Sequence, residues 1–173
     1  MIKVKSKEKL REIIEKREIL LQEIDVSEIK DMSNLFRDIT RINGDISDWD
    51  VSRVRNMQGM FLGAKFNKDI SRWNVSGVET MEHMFANSKF NKDISSWDVS
   101  NVRNMHCMFT GSNFTGDISN WDTSNVIDVA YMFYKSHFNR DISGWDVSNV
   151  QHAYSMFKES PLENSPPKWW RKL

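Results

Sequence analysis

The chain has 173 residues, 39% apolar and 28% charged, with 24 Lys/Arg balanced by 24 Asp/Glu. That is enough for one domain with a sizeable core, and it is not the composition of a disordered chain. The longest apolar run near the N-terminus is Ile19-Leu20-Leu21, too short for a signal-peptide core or a spanning helix. The expectation is therefore a chain that stays in the cytoplasm where it is made. Cys107 is the single cysteine, so no intramolecular disulfide forms. Charge is unevenly spread: residues 1–23 carry seven Lys/Arg against five Asp/Glu, and residues 24–167 carry fourteen against nineteen. A mildly acidic body with basic ends lacks the basic stripe of a nucleic-acid binder, so nucleic acid is not an expected partner.

Residues 1–23 come first as a capping helix. Leu10, Ile13, Ile14, Arg17, Leu20, Leu21 and Ile24 fall at helical spacing between charged residues, with Ser6 placed as N-cap. Residues 24–160 then repeat. Trp49, Trp73, Trp97, Trp121, Trp145 and Trp169 recur every 24 residues, and Met60-Phe61, Met84-Phe85, Met108-Phe109, Met132-Phe133 and Met156-Phe157 keep the same step. Ile24 to Phe36 is a worn first copy.

Within the unit Trp97–Asn120, the apolar residues Val102, Met105, Met108 and Phe109 step by three or four, the spacing of a helix face. Ser100 stands as its N-cap, and Ser76 with Glu79 and Ser148 with Gln151 have capping-box spacing. Gly111 sits where a helix would end. The stretch from Phe114 to the following Trp column is rich in Asp, Asn, Ser and Ile, as in a short strand between turns. The expected fold is α/β: a leucine-rich-repeat-like solenoid of about five to six 24-residue strand-turn-helix units. A lone unit has nothing to bury its side chains against, whereas a stack does. Residues 161–173 close the far end, with Pro161, Pro166 and Pro167 blocking further strand pairing. The chain is expected to be a complete single domain.

The run Phe90-Asn91-Lys92-Asp93-Ile94-Ser95-Ser96-Trp97-Asp98-Val99-Ser100-Asn101-Val102-Arg103-Asn104-Met105 resembles the BspA-type leucine-rich-repeat family of bacterial proteins, over roughly residues 24–173. The segment leading into Ile24-Asp25-Val26-Ser27 also resembles the capping segment that precedes such arrays. The resemblance implies a leucine-rich-repeat-like fold, often on cell surfaces or secreted, and often tied to adhesion or protein binding. The chain departs from the surface members in showing no export signal, lipid-attachment cysteine or anchor.

Two carboxylate columns recur: Asp45, Asp69, Asp93, Asp117 and Asp141, and then Asp50, Asp98, Asp122 and Asp146 with Asn74 interrupting. Stacked carboxylates repel, so each is expected to accept backbone N–H groups in a turn. A ladder of calcium sites is the alternative. The Trp and Met columns read as core rather than as stacking platforms for ligands. The four histidines, His83, His106, His137 and His152, occupy four different columns. No convergent metal set, Ser-His-Asp arrangement or phosphate loop stands out, so neither a cofactor nor a metal is expected.

Variable columns are where a partner is read. All three tyrosines, Tyr131, Tyr134 and Tyr154, fall in neighbouring repeats, with the first two at i, i+3 on the expected helix. Clustered exposed aromatics anchor interfaces, although packing against Trp169-Trp170 is the alternative. The column before each Trp, which includes Asp48 and Arg72, forms a second candidate surface. The expected function is a non-catalytic protein-protein interaction scaffold. The competing readings are an inhibitor or nucleic-acid mimic using the acidic body, and an adhesin that binds carbohydrate or calcium.

Overall fold

The structure is a computed structural model that describes residues 1–173. It begins with a short strand, β1 (Ile2–Lys3), which pairs in parallel with β2 (Ile24–Asp25). Between them lies the one α-helix, α1 (Lys7–Lys16). The Ser6 hydroxyl caps it by accepting from the Lys9 N–H at 3.3 Å. Leu10, Ile13 and Ile14 form its buried face. The helix stops well short of Ile24, because Arg17 turns left-handed (φ 56°) and closes the end by donating its N–H to the Ile13 carbonyl. A 3₁₀ turn at Leu21–Glu23 then carries the chain into β2.

The repeats overturn the expected α/β fold, a leucine-rich-repeat-like solenoid of strand-turn-helix units: the chain has one helix and a two-stranded sheet. No repeat contains an α-helix, and none contributes a strand beyond the two-residue β2. Each is a succession of tight turns laid against the same turns 24 residues away. Alternate backbone N–H groups point across the junction. Met81, His83, Phe85 and Asn87 donate to the carbonyls of Asn104, His106, Met108 and Thr110, at 2.7 to 2.9 Å. Met105, Cys107, Phe109 and Gly111 donate in the same way to Asp128, Ala130, Met132 and Tyr134. Between these, Met84, Ala86 and Ser88 donate back three residues within their own turn. Single parallel bridges link Asp31, Asn56, Thr80, Asn104, Asp128 and His152 in one file.

The backbone shows why a helix cannot form here. Every repeat places two residues four apart in the left-handed region: Asn34 and Asp38, Gly59 and Gly63, His83 and Asn87, Cys107 and Gly111, Tyr131 and Lys135, Ser155 and Glu159. Left-handed residues interrupt a right-handed helix. Gly111 is thus a turn residue and not a helix end. The serines assigned as helix caps do something else as well. The N–H groups of Ser76, Ser100, Ser124 and Ser148 each donate to the side-chain oxygen two residues earlier, on Asn74, Asp98, Asp122 and Asp146, at 2.9 to 3.2 Å. These are Asx turns. The aspartates of the other column do the same for Ser47, Ser71, Ser95, Ser119 and Ser143.

The apolar columns fill the interior in ladders. Phe36, Phe61, Phe85, Phe109, Phe133 and Phe157 stack ring on ring at 5.3 to 6.1 Å, within 9° of parallel. Phe66, Phe90, Phe114 and Phe138 form a second stack at 6.1 to 6.3 Å. The tryptophans stay buried, and each indole N–H reaches back to a carbonyl of an earlier turn. Trp73, Trp97, Trp121, Trp145 and Trp169 donate to Ile46, Ile70, Ile94, Ile118 and Ile142, at 2.9 to 3.1 Å. A tryptophan committed this way has no face left for a sugar or a base.

Both ends of the stack receive partners. Arg11 of α1 donates to the carbonyls of Asn34 and Leu35 (2.7 and 2.9 Å), and Lys7 reaches Asp31 and Ser33. At the other end, 3₁₀ turns at Pro161–Glu163 and Lys168–Lys172 bring Trp169 and Trp170 against Phe157. No helix is long and apolar enough to cross a membrane.

Candidate functional site

The left-handed columns and the residues beside them run along the edge of the core, from buried Cys107 to exposed Asn87 and Lys135, and carry the most varied chemistry of the chain. Tyr131 sits at the centre of an aromatic cluster. Its ring meets Tyr134 at 5.7 Å, Tyr154 at 5.2 Å and His106 at 6.0 Å, each edge to face. Tyr131 and Tyr134 therefore do touch, but across a turn rather than along a helix, since Tyr131 itself has φ 55°. Tyr154 is 56% exposed. The terminal tryptophans do not stack on the tyrosines; their ring contacts are with Phe157. Tyr154 and Trp170 instead share the wall of a cavity of about 330 Å³ with Val150, Ala153 and Leu173. Tyr134 is fixed at its hydroxyl, which donates to Glu159 at 3.1 Å, and the Lys135 ammonium lies 5.1 Å from its ring centre.

One turn away, the stacking brings His83 beside His106 and Cys107 of the next repeat. The Nδ1 or Nε2 of His83, the Nδ1 or Nε2 of His106 and the Cys107 Sγ all lie within 4.8 Å of one another. No other group of three or more His, Cys, Asp or Glu side chains gathers in this way, so the aspartate columns assemble no calcium cage of their own. The backbone ties the cluster: the His83 N–H donates to the His106 carbonyl at 2.8 Å. Carboxylates flank it, with Asp128 Oδ1 3.5 Å from His106 Nδ1 and Glu82 Oε1 3.7 Å from His83 Nε2. Glu82 is held in turn by the Asn104 amide at 3.1 Å. Burial lowers the pKa of His83, opposed by Glu82 and helped by the neighbouring His106. Burial also pushes the Cys107 thiol up, against a hydrogen bond with Thr110.

The sequence reading found no convergent set because the four histidines stand in four different columns. His83 and Cys107, however, share one column in adjacent repeats, and His106 is the chain neighbour of Cys107. That spacing of 24 beside a flanking histidine was the available signal. His137 lies elsewhere, with Nδ1 3.2 Å from the Ser112 carbonyl oxygen, and His152 takes part in the last bridge of the file.

The second candidate surface is already engaged with itself. Arg72 and Asp48, both largely exposed, form an ion pair at 2.5 Å between adjacent turns. No hydrogen bond, ion pair or ring contact joins them to the tyrosines.

Taken together, 24-residue periodicity, turn-to-turn hydrogen bonds and side-chain ladders define a protein built of turns laid in register on their own repeats. The chain matches the family described as Mycoplasma protein of unknown function, DUF285, over residues 7–113 and again over residues 87–172. It belongs to that family. No curated protein and no solved structure matches it.

Proposed function

We propose that this chain is a non-catalytic interaction scaffold whose variable outer columns take a protein partner. The observation that carries the reading is the cluster of Tyr131, Tyr134 and Tyr154. Three aromatic side chains meet on one another, outside the repeating core, and the outermost is more than half exposed. Rigid, partly exposed aromatics supply contact area at little entropic cost and are the commonest anchors of protein interfaces. The Phe90–Met105 motif, with its resemblance to the BspA-type leucine-rich-repeat family, supports the same role. It does so through the association of that family with binding, and not through a strand-turn-helix build.

The test is affinity capture from the native cell with the wild-type chain and with a Tyr131→Ala/Tyr134→Ala/Tyr154→Ala variant. A protein retained by the first and lost from the second, with both baits equally resistant to urea, is the expected result. Identical sets of retained proteins would remove this surface from consideration.

A further inference from the structure

We propose that His83, His106 and Cys107 form a binding site for a borderline-soft transition-metal cation, with Zn²⁺ the expected ion. The donor set decides the class. One thiolate and two imidazoles suit zinc and its neighbours in the first row, whereas calcium and magnesium take oxygen ligands. Geometry makes the site reachable. In a tetrahedral site with metal–ligand bonds near 2.0 to 2.3 Å, ligand atoms stand about 3.4 to 3.6 Å apart. The three donors here already lie within 4.8 Å of one another. Roughly an ångström of closure is needed, within the swing of two partly exposed imidazoles: the side chains of His83 and His106 are 37% and 24% accessible.

The surroundings fit a metal site. Metal-bound histidines usually give their second nitrogen to a carboxylate, which fixes the ring. Asp128 stands 3.5 Å from His106 Nδ1 in that position, which leaves Nε2 for the ion. Glu82 Oε1 lies 3.7 Å from His83 Nε2. Glu82 stands outside the donors that lie within 4.8 Å of one another, so it borders the site, and a water would complete a tetrahedral centre.

Repeat architecture supplies variants that the backbone tolerates. The column of His83 and Cys107 holds Asn34 and Ser155 in other turns at the same left-handed φ. The column of His106 holds Ala130, and that of Asp128 holds Asn56 and Asn104. His83→Asn, Cys107→Ser, His106→Ala and Asp128→Asn therefore place at each position a residue the fold already accepts there.

The experiment is a Co²⁺ titration of the full, metal-stripped chain, followed by ultraviolet and visible absorption. One equivalent should produce a thiolate-to-cobalt charge-transfer band and the intense visible bands of a tetrahedral ion, and one equivalent of Zn²⁺ should bleach both. Cys107→Ser should abolish the charge-transfer band. His83→Asn and His106→Ala should weaken Zn²⁺ binding, measured by competition, by more than the roughly 10- to 100-fold that loss of an outer partner costs. Asp128→Asn should weaken it within that range, and His152→Ala should leave it unchanged. No thiolate band at one equivalent, binding that survives Cys107→Ser together with His106→Ala, or equal competition by Ca²⁺ would each overturn the proposal. Urea denaturation of every variant without metal separates a lost ligand from a lost fold.

Discussion

Trp97→Phe isolates what the buried tryptophan column contributes. Trp97 is 3% exposed, and its indole N–H donates to the Ile70 carbonyl at 3.1 Å. Phenylalanine keeps an aromatic ring next to Phe85, now 6.3 Å away, but has no donor. The Ile70 carbonyl still accepts the Trp73 N–H at 3.1 Å, so the loss is the net worth of one hydrogen bond, about 0.5 to 1.5 kcal/mol. The smaller ring leaves a void of roughly 40 Å³, worth about 1 kcal/mol at about 24 cal/mol per Å³. The expected loss is thus about 1.5 to 2.5 kcal/mol, a large fraction of the roughly 5 to 15 kcal/mol that holds a domain folded. Urea denaturation at pH 7, with midpoint and slope fitted together, measures it. A loss below about 0.5 kcal/mol, the size of a neutral surface change, would refute the reasoning that the indole N–H stitches one turn to an earlier one.

Three further outcomes follow from other parts of the stack. The Asx-turn carboxylates of Asp45, Asp69, Asp93, Asp117 and Asp146 are held below the ordinary Asp value mainly by the N–H of the serine two residues on, and those of Asp50, Asp122 and Asp141 mainly by its hydroxyl. Because the folded pKa values are lowered, the unfolded chain binds more protons. The stabilisation is full above the unfolded value near 3.9 and is lost as pH falls through the lowered values. Tm should therefore fall below about pH 4, beyond the smaller loss that the lowered His83 pKa brings between pH 7 and 5; a Tm that holds at pH 3 would contradict this. Gly44→Ala should destabilise by about 1 to 3 kcal/mol, since Gly44 has φ 125° and an added Cβ would meet the Leu21 N and the Gln22 side chain. Equal thermal stability of that variant would count against the turn as described. Asp48→Ala should cost no more than about 1 kcal/mol and lose even that in high salt, because the pair with Arg72 is exposed; a larger, salt-independent loss would show that it is not a surface pair.

The period and the core were legible because burial follows apolarity whatever the backbone does. The Trp, Met and Phe columns read from the sequence are the ones that pack in ladders. The backbone was misread because consecutive turns also repeat every three to four residues. Val102, Met105, Met108 and Phe109 therefore mimic a helix face. The discriminating signal was polar. Gly, Asn or Asp stands at two positions four apart in Asn34 and Asp38 and in Gly59 and Gly63, and at the second of them in Asn87 and Gly111, and Asp-x-Ser spacing marks turns that compete with helix. Among candidate sites, the tyrosines were legible because they stand out within their columns. The His83, His106 and Cys107 group was not, since it forms across two columns and becomes visible only once the repeats are stacked in register.

That register is open to a direct measurement. In a chain with isotope-labelled phenylalanine, proton–proton Overhauser contacts between aromatic rings should link Phe85 to Phe109 and Phe109 to Phe133, whose centres lie 5.7 and 5.8 Å apart. No contact should pass directly from Phe85 to Phe133, two steps away. Ring contacts in that pattern are what stacked turns predict; their absence between residues 24 apart would contradict the account at its base.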